Sequence, residues 1–204
     1  MNHAGAAYVY TKVSTVWTLQ ATLTDPVPAD FDQFGISTAI TSDGNMVLIG
    51  ANSADTSGKT DAGKVLVFTR SGSTWTYQTT LTASDGLADD SFGVSVATSI
   101  DASVAAIGAS GADDGGKNIS GKAYLFTRSG STWTQAQILN ASDASANDSF
   151  GASASLSSEL SAYRRARRGW RKRHIQCRCI VPVHQIWYLD PTNEVCLFFL
   201  TRWK

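Results

Sequence analysis

The chain has 204 residues, 43% of them apolar and 17% charged, an ordinary globular composition that argues against disorder throughout. The formal net charge of zero hides a split: residues 1–163 carry 7 Lys/Arg against 15 Asp/Glu, and residues 164–204 carry 10 against 2. No run of 18 apolar residues exists, and no basic segment followed by an apolar one is visible at the N-terminus. The sequence therefore predicts neither a membrane span nor a signal peptide in this chain.

A strict 58-residue period organises the first 158 residues. Its landmarks are a tryptophan, a Phe-Gly pair and the glycine of an Ile-Gly-Ala sequence, at Trp17, Trp75, Trp133, Phe34, Gly35, Phe92, Gly93, Phe150, Gly151, Gly50 and Gly108. Such self-similarity is the signature of a repeat architecture. We predict repeats at about 5–62 and 63–120 and an incomplete one at 121–158, which together make residues 1–158 one repeat domain.

Each repeat reads, in chain order, as four short strands. Val65–Phe68 and Ala123–Phe126 are apolar runs, typical of central strands covered on both faces. An SGST turn follows, and then a tryptophan-containing strand that alternates apolar and polar residues. The Phe-Gly strand alternates bulky and small residues, which lets a neighbouring sheet approach closely. The fourth strand, Met46–Ala51 in the first repeat, is apolar again, and no segment shows the period of a helix.

A four-stranded unit with two apolar faces has to stack on copies of itself. Stacking twisted four-stranded sheets around an axis gives a β-propeller, which needs four to eight blades to close. The predicted fold is therefore all-β, a partial β-propeller of about two and a half to three blades. We expect Trp17, Trp75 and Trp133 to occupy equivalent environments. Open blade faces and strand edges predict that the isolated chain self-associates.

The Phe-Gly and Ile-Gly-Ala elements resemble the FG-GAP repeats of the integrin α-chain propeller. The form with a tryptophan strand is similar to FG-GAP repeats of large microbial and algal surface proteins. The resemblance covers residues 4–158. It implies a seven-bladed propeller for an intact parent located outside the cell or on its surface, with loops that meet a protein or glycan partner and serve recognition or adhesion.

Calcium is the one cofactor that the resemblance raises. Integrin-like units often carry a DxDxDG loop between the two signature strands, but the corresponding connections here, Thr41–Asn45 and Ser99–Ser103, hold one carboxylate each. One carboxylate is too few for Ca²⁺, which takes six to eight oxygens. We predict plain hairpin turns, with aspartate favoured because it tolerates the left-handed region.

Other aspartates recur with the repeat. Asp32, Asp90 and Asp148 precede each Phe-Gly pair, with Asp85 and Asp143 upstream in two repeats. They are either an acidic rim that attracts cations or Asx turns at the start of a strand, and the recurrence favours turns. The weak calcium candidates are Asp55, Asp113 and Asp114, in glycine-rich loops that we expect to be solvated.

The repeat domain contains few residues of the types that catalysis uses. His3 is the only histidine before the tail, and no serine lies in a G-x-S-x-G sequence. We therefore expect a non-catalytic recognition fragment. The alternatives are an accessory propeller of a secreted enzyme, and a truncated gene product with no function of its own.

The tail, residues 159–204, breaks the period. A basic run at 164–174 resembles a nucleic-acid patch, and a zinc cluster is suggested by Cys177, Cys179, His174 and His184. Read one nucleotide later, synonymous codons for Ser161–Arg167 permit VLIGAP, and those for Ile175–Pro191 permit a strand and turn like those of the preceding repeat. We therefore predict that the tail is translated out of frame and is not a domain, with no nucleic-acid partner and no zinc site.

Overall fold

The computed structural model describes residues 2–157, 185–189 and 196–200, and over these residues the chain is all-β. None of them belongs to a helix, so none lies in a helix that could cross a membrane. The strands are β1 (Ala7–Val13), β2 (Val16–Leu23), β3 (Ser37–Ile40), β4 (Met46–Ala51), β5 (Lys64–Ser71), β6 (Thr74–Leu81), β7 (Phe92–Thr98), β8 (Val104–Ala109), β9 (Lys122–Ser129), β10 (Thr132–Leu139), β11 (Ala154–Ser157), β12 (Gln185–Leu189) and β13 (Cys196–Leu200).

The strands form sequential antiparallel sheets of the kind that build propeller blades. Strands β3-β4-β5-β6 make one four-stranded sheet, blade A, and β7-β8-β9-β10 make a second, blade B. The pair β1-β2 forms a two-stranded sheet before blade A, and β11 begins the sheet that follows blade B. The prediction of stacked four-stranded antiparallel sheets is confirmed.

The blades do not coincide with the repeats as we divided them. Blade A runs from β3 to β6 and blade B from β7 to β10, two strands later than repeats that begin at residues 5 and 63. Each blade starts with its Phe-Gly strand and ends with its tryptophan strand. The repeat period fixes the length of a blade but not the residue at which a blade begins. That starting point, the phase of the blades, has to come from the strand pairing.

Central strands carry the core. All six residues of β4 and of β8 are buried, and β5 and β9 each bury the four apolar residues that the sequence assigns to a central strand. The core between blades A and B joins Leu48, Val65 and Val67 of blade A to Phe92 and Tyr124 of blade B. The tryptophan strands β6 and β10 lie at sheet edges and keep exposed positions.

Blade packing explains the glycine of each Ile-Gly-Ala sequence. The backbone of Gly50 lies against the carbonyl of Gly93 in the next blade, and a Cβ at Gly50 would overlap that oxygen. Ser37 of blade A donates its hydroxyl to the same carbonyl at 2.6 Å. Blade B repeats this contact toward Gly151. The two signature elements therefore meet across the junction between consecutive blades.

The tryptophans are not all equivalent, so that part of the prediction is wrong. Each has a cation over its ring at 5.7–5.9 Å, which is Lys12 for Trp17, Arg70 for Trp75 and Arg128 for Trp133. However, Trp75 and Trp133 are half-buried against the cores, whereas Trp17 is 64% exposed. The reason is position, because Trp17 lies in the β1-β2 pair, and no sheet covers its outer face in the part of the chain that the structure describes.

The hairpin turns lie where the sequence predicts them, but one of the two kinds of turn uses a left-handed residue other than the one expected. Gly72 and Gly130 adopt φ of +62° between the third and fourth strands, as the SGST motif predicts. Between the first two strands the left-handed residues are Gly44 and Ala102, each following an aspartate. The expectation that the aspartate itself takes the left-handed conformation is wrong.

Two of the tail's apolar segments form strands, but in a different order from the blades. Strand β13 pairs with β11, and β12 pairs with β13, all antiparallel. The resulting order, β11-β13-β12, departs from the meander of blades A and B. The basic run at 164–174, the candidate zinc ligands and most of the segment predicted to be out of frame lie outside the described residues.

Candidate functional site

The loops of the stacked sheets collect at two ends that differ in charge. The hairpin end comprises residues 14–15, 41–45, 72–73, 99–103 and 130–131, and the connector end comprises residues 24–36, 52–63, 82–91, 110–121 and 140–153. Of the 14 aspartates among the described residues, 12 lie at the connector end, and the other two are Asp43 and Asp101. The connector end is therefore the more acidic of the two ends in the part of the chain that the structure describes.

The recurring aspartates before each Phe-Gly pair are turn residues. Asp32 accepts the N–H of Ala29 at 3.0 Å, and Asp90 accepts that of Leu87 at 2.7 Å. Asp148 makes the same bond to Ser145 at 2.7 Å. Burial raises the pKa of Asp90 despite the N–H of Leu87. Because each side chain closes its own turn, the turn interpretation holds for these three aspartates.

Ion pairs tie two of the connectors to the blade that follows. Lys64, at the start of β5, lies 2.7 Å from Asp25, and Lys122, at the start of β9, lies 2.8 Å from Asp85. Tyr124 also donates to Asp85 at 2.9 Å. Burial opposes the ionisation of Asp85, but the hydrogen bonds from Lys122 and Tyr124 outweigh it and lower its pKa. Burial, with Asp85 adjacent, raises the pKa of Tyr124.

The calcium candidates lie in the connector-end loops but do not gather into one cluster. Asp55 accepts the N–H of Asp61 at 3.0 Å, and Asp113 accepts that of Ile119 at 2.7 Å. Each carboxylate thus closes its own loop across six residues. Asp114 accepts from the amide of Asn140 at 3.1 Å. Among the described residues, no three His, Cys, Asp or Glu side chains are placed to share a metal ion.

A groove with a volume of about 420 Å³ separates blades A and B at the hairpin end. Arg70 donates to the side-chain oxygen of Asn45, and Arg128 donates to the carbonyl of Ala102 at 2.9 Å. Both arginines line the groove, together with the two hairpin aspartates. Their guanidinium groups are held against the tryptophans as well, so they shape the wall of the groove.

The two hairpin aspartates cap their own turns. Asp43 accepts from the hydroxyl of Thr41 at 2.5 Å and from the N–H of Asn45 at 3.0 Å, and these bonds lower its pKa. Asp101 accepts the N–H of Ser103 at 3.0 Å, and this bond, with those from the Ser103 and Ser99 hydroxyls, lowers its pKa. These contacts are Asx turns, in which the side chain takes the place of a backbone acceptor.

Several residues that organise these ends were not predicted from the sequence. Lys64 and Lys122 recur at the 58-residue interval, as do Arg70 and Arg128, and Ser37 and Ser95. That recurrence is a signal that could have marked them. The one histidine of the described region, His3, stacks on Phe31 with ring centroids 5.7 Å apart.

The comparison with family models agrees with this architecture. The FG-GAP repeat family model matches residues 17–68 and 75–126, half of the chain. Among solved structures, Sqt1 of Saccharomyces cerevisiae is similar, with 17% sequence identity and a TM-score of 0.46. The similarity covers 70% of this chain and 32% of Sqt1, so the chain spans about a third of that protein. None of the curated proteins matches the chain. On the family match, this chain belongs to the FG-GAP repeat family.

Proposed function

We propose that the chain is a non-catalytic recognition module, part of an extracellular or cell-surface protein, that binds a protein partner through its connector end. The extracellular setting and the adhesive role rest on the resemblance to FG-GAP surface proteins. The observation that supports the choice of end is the concentration of 12 of the 14 described aspartates there.

The connector end combines a fixed shape with an unbalanced charge. Asp32, Asp90, Asp55 and Asp113 hold their loops by bonds to the backbone. Loops that are ordered before binding lose less conformational entropy when a partner arrives. Only four lysines, in these loops and in the strands that begin there, stand against the 12 aspartates. The negative electrostatic field that remains favours a basic partner surface.

A titration with a labelled lysine-rich peptide, and with a glutamate-rich peptide of equal length, tests this choice. Replacing the exposed Asp89 and Asp143 with asparagine should weaken lysine-peptide binding about threefold or more and flatten its dependence on salt. The matched control removes the same number of charges at the other end with Asp43→Asn and Asp101→Asn. Equal losses from the two pairs, or equal binding of both peptides, would overturn the choice of the connector end.

The non-catalytic part of the proposal needs its own assay. A screen of ester, glycoside, peptide and phosphate substrates should give turnover no higher than that of a heat-denatured sample. Turnover that disappears on substitution of a connector-end aspartate would contradict the non-catalytic assignment and indicate an enzyme.

A further inference from the structure

A lysine and two aspartates lie buried together at the connector end of blade A. Lys64 begins β5, and Asp25 and Asp32 lie in the connector between β2 and β3. The Nζ of Lys64 is 2.7 Å from Oδ2 of Asp25 and 3.5 Å from Oδ2 of Asp32. The three side chains are 14%, 4% and 3% exposed, respectively. Taking three charged groups out of water is costly, and the recognition function proposed above makes no use of this cluster.

The contact between Lys64 and Asp25 has the distance of a hydrogen bond but not its orientation. Oδ2 of Asp25 has no hydrogen-bond partner among the described residues, although Nζ lies 2.7 Å away. The other oxygen, Oδ1, accepts the N–H of Val27 at 2.8 Å. One oxygen of the carboxyl group is thus held by the backbone, and the other lies against the lysine nitrogen without a hydrogen bond to it.

Blade B contains the ordinary ion-paired form of this contact. Lys122 donates a hydrogen bond to Oδ2 of Asp85 at 2.8 Å, and Tyr124 donates to Oδ1. The side chain of Asp85 is 35% exposed, and no second carboxylate lies within ion-pair distance of Lys122 in the part of the chain that the structure describes. The pair in blade A therefore differs in its burial, in its orientation and in the carboxylate of Asp32 beside it.

We propose that Lys64 and Asp25 react to form an intramolecular isopeptide bond, with Asp32 as the catalytic residue. Asp32 accepts a proton from the ammonium group, and the freed lone pair of Nζ attacks Cγ of Asp25. The Nζ–Cγ bond forms and the Cγ–Oδ2 bond breaks. Oδ2 leaves as water with two protons of the former ammonium group, both carried by Asp32 in turn. Asp32 ends as a carboxylate, and the step needs no oxidant, reductant or cofactor.

The surroundings of the reacting atoms favour this step. The N–H of Val27 lies where negative charge develops on Oδ1 as the nitrogen adds, which is the role of an oxyanion donor. The fold holds Nζ beside the carboxyl group, so no bimolecular encounter is needed. Asp32 is 3.5 Å from Nζ, and contacts of this kind are often long before the reaction and shorten in the transition state. The product is a neutral amide, which removes the cost of a buried ion pair.

The bond would tie the connector that follows β2 to the first residue of β5. It closes a covalent loop that contains β3 and β4, and such a cross-link restricts the unfolded chain. Unlike an ion pair, it persists in acid, salt and denaturant. This inference does not depend on the partner of the connector end, so either proposal can fail without the other.

The test is the mass of the full chain, purified and then denatured. It should be lower by one water than the sequence requires. Tandem mass spectrometry of a tryptic digest should find a branched peptide that joins the segment with Asp25 to the segment with Lys64. Lys64→Arg and Asp25→Ala should each restore the full mass and remove the branched peptide. Asp32→Asn should leave most of the freshly purified chain unlinked, because loss of general acid–base catalysis slows the reaction about a hundredfold.

The matched control is Lys122→Arg, which alters the ion pair of blade B and should keep both the missing water and the branched peptide. The full sequence mass, or no branched peptide, in the unaltered chain would overturn the proposal. A missing water that persists in Lys64→Arg would also overturn it, because a succinimide at an Asp-Gly pair such as Asp43-Gly44 gives that mass. Complete cross-linking of the Asp32→Asn chain would refute the role of Asp32. The peptide map uses the unaltered chain, so the test stands even where a substitution prevents folding.

Discussion

The contact between Gly108 and the carbonyl of Gly151 yields the sharpest stability prediction. A Cβ on Gly108 would overlap that oxygen and lie 2.7 Å from the carbonyl carbon, both of which are backbone atoms. The φ of Gly108 is not in the left-handed region, so a substitution there is opposed by lack of space alone. Overpacking of this kind costs about 1–3 kcal/mol, and separating the blades also weakens the 2.7 Å bond from Ser95 to Gly151, worth about 1 kcal/mol.

We therefore expect Gly108→Ala to lower the free energy of unfolding by about 3 kcal/mol. The control is Gly130→Ala, where a Cβ meets nothing within 4 Å but φ is +62°, so the cost is about 1 kcal/mol. Both changes reduce the entropy of the unfolded chain equally, and that effect cancels in the comparison. Urea unfolding followed by tryptophan fluorescence measures the difference. A cost at Gly108 no larger than that at Gly130 would refute the close-approach argument.

Four further outcomes are expected. Folding lowers the pKa of Asp85, so its carboxylate stabilises the folded state above the unfolded pKa of about 3.9, and this stabilisation is lost as the pH falls through the folded pKa. Asp85→Asn should therefore make acid unfolding less steep. Calorimetric titration should show no micromolar Ca²⁺ site, since the candidate carboxylates close separate loops; such a site would contradict the assignment. The chain should elute from a sizing column as oligomers, and a sharp monomer peak at all concentrations would refute this. The coding nucleotides, read one position later from about Glu159, should encode an Ile-Gly-Ala-type strand; their failure to do so would remove the frameshift prediction.

The recurrence, with the apolar runs and alternation inside each repeat, was enough to predict the strands and the close approach of a neighbouring sheet to the Phe-Gly strand. Those features depend on local sequence that each repeat carries complete, such as the Phe-Gly and Ile-Gly-Ala elements. The phase of the blades was not predictable in this way, because a periodic sequence can be divided at any point. The exposure of Trp17 depends on the presence of a neighbouring sheet, which the tryptophan strand does not encode.

The connector ion pairs show a second limit. Lys64 and Lys122 keep the repeat interval, but their partners, Asp25 and Asp85, are 60 residues apart. The connectors before blades A and B differ in sequence and take different paths to equivalent contacts. A search for residues at a fixed interval therefore finds the cation and misses the carboxylate. Asp55 and Asp113 lie in the glycine-rich loops that the sequence predicts, but the backbone groups that their carboxylates bind depend on the folded loop.

The phase of the blades determines how the chain would respond to a pulling force. Each blade receives the chain at one edge and releases it at the opposite edge, and both points lie at the connector end. Tension along the polypeptide would draw the two edge strands apart at that end, along the direction of the interstrand hydrogen bonds. The bonds would then be loaded one after another, as in opening a zip, and an isolated blade would yield at low force. Mechanical strength in such a protein would have to come from the packing of blade on blade, where Gly50 and Gly93 meet.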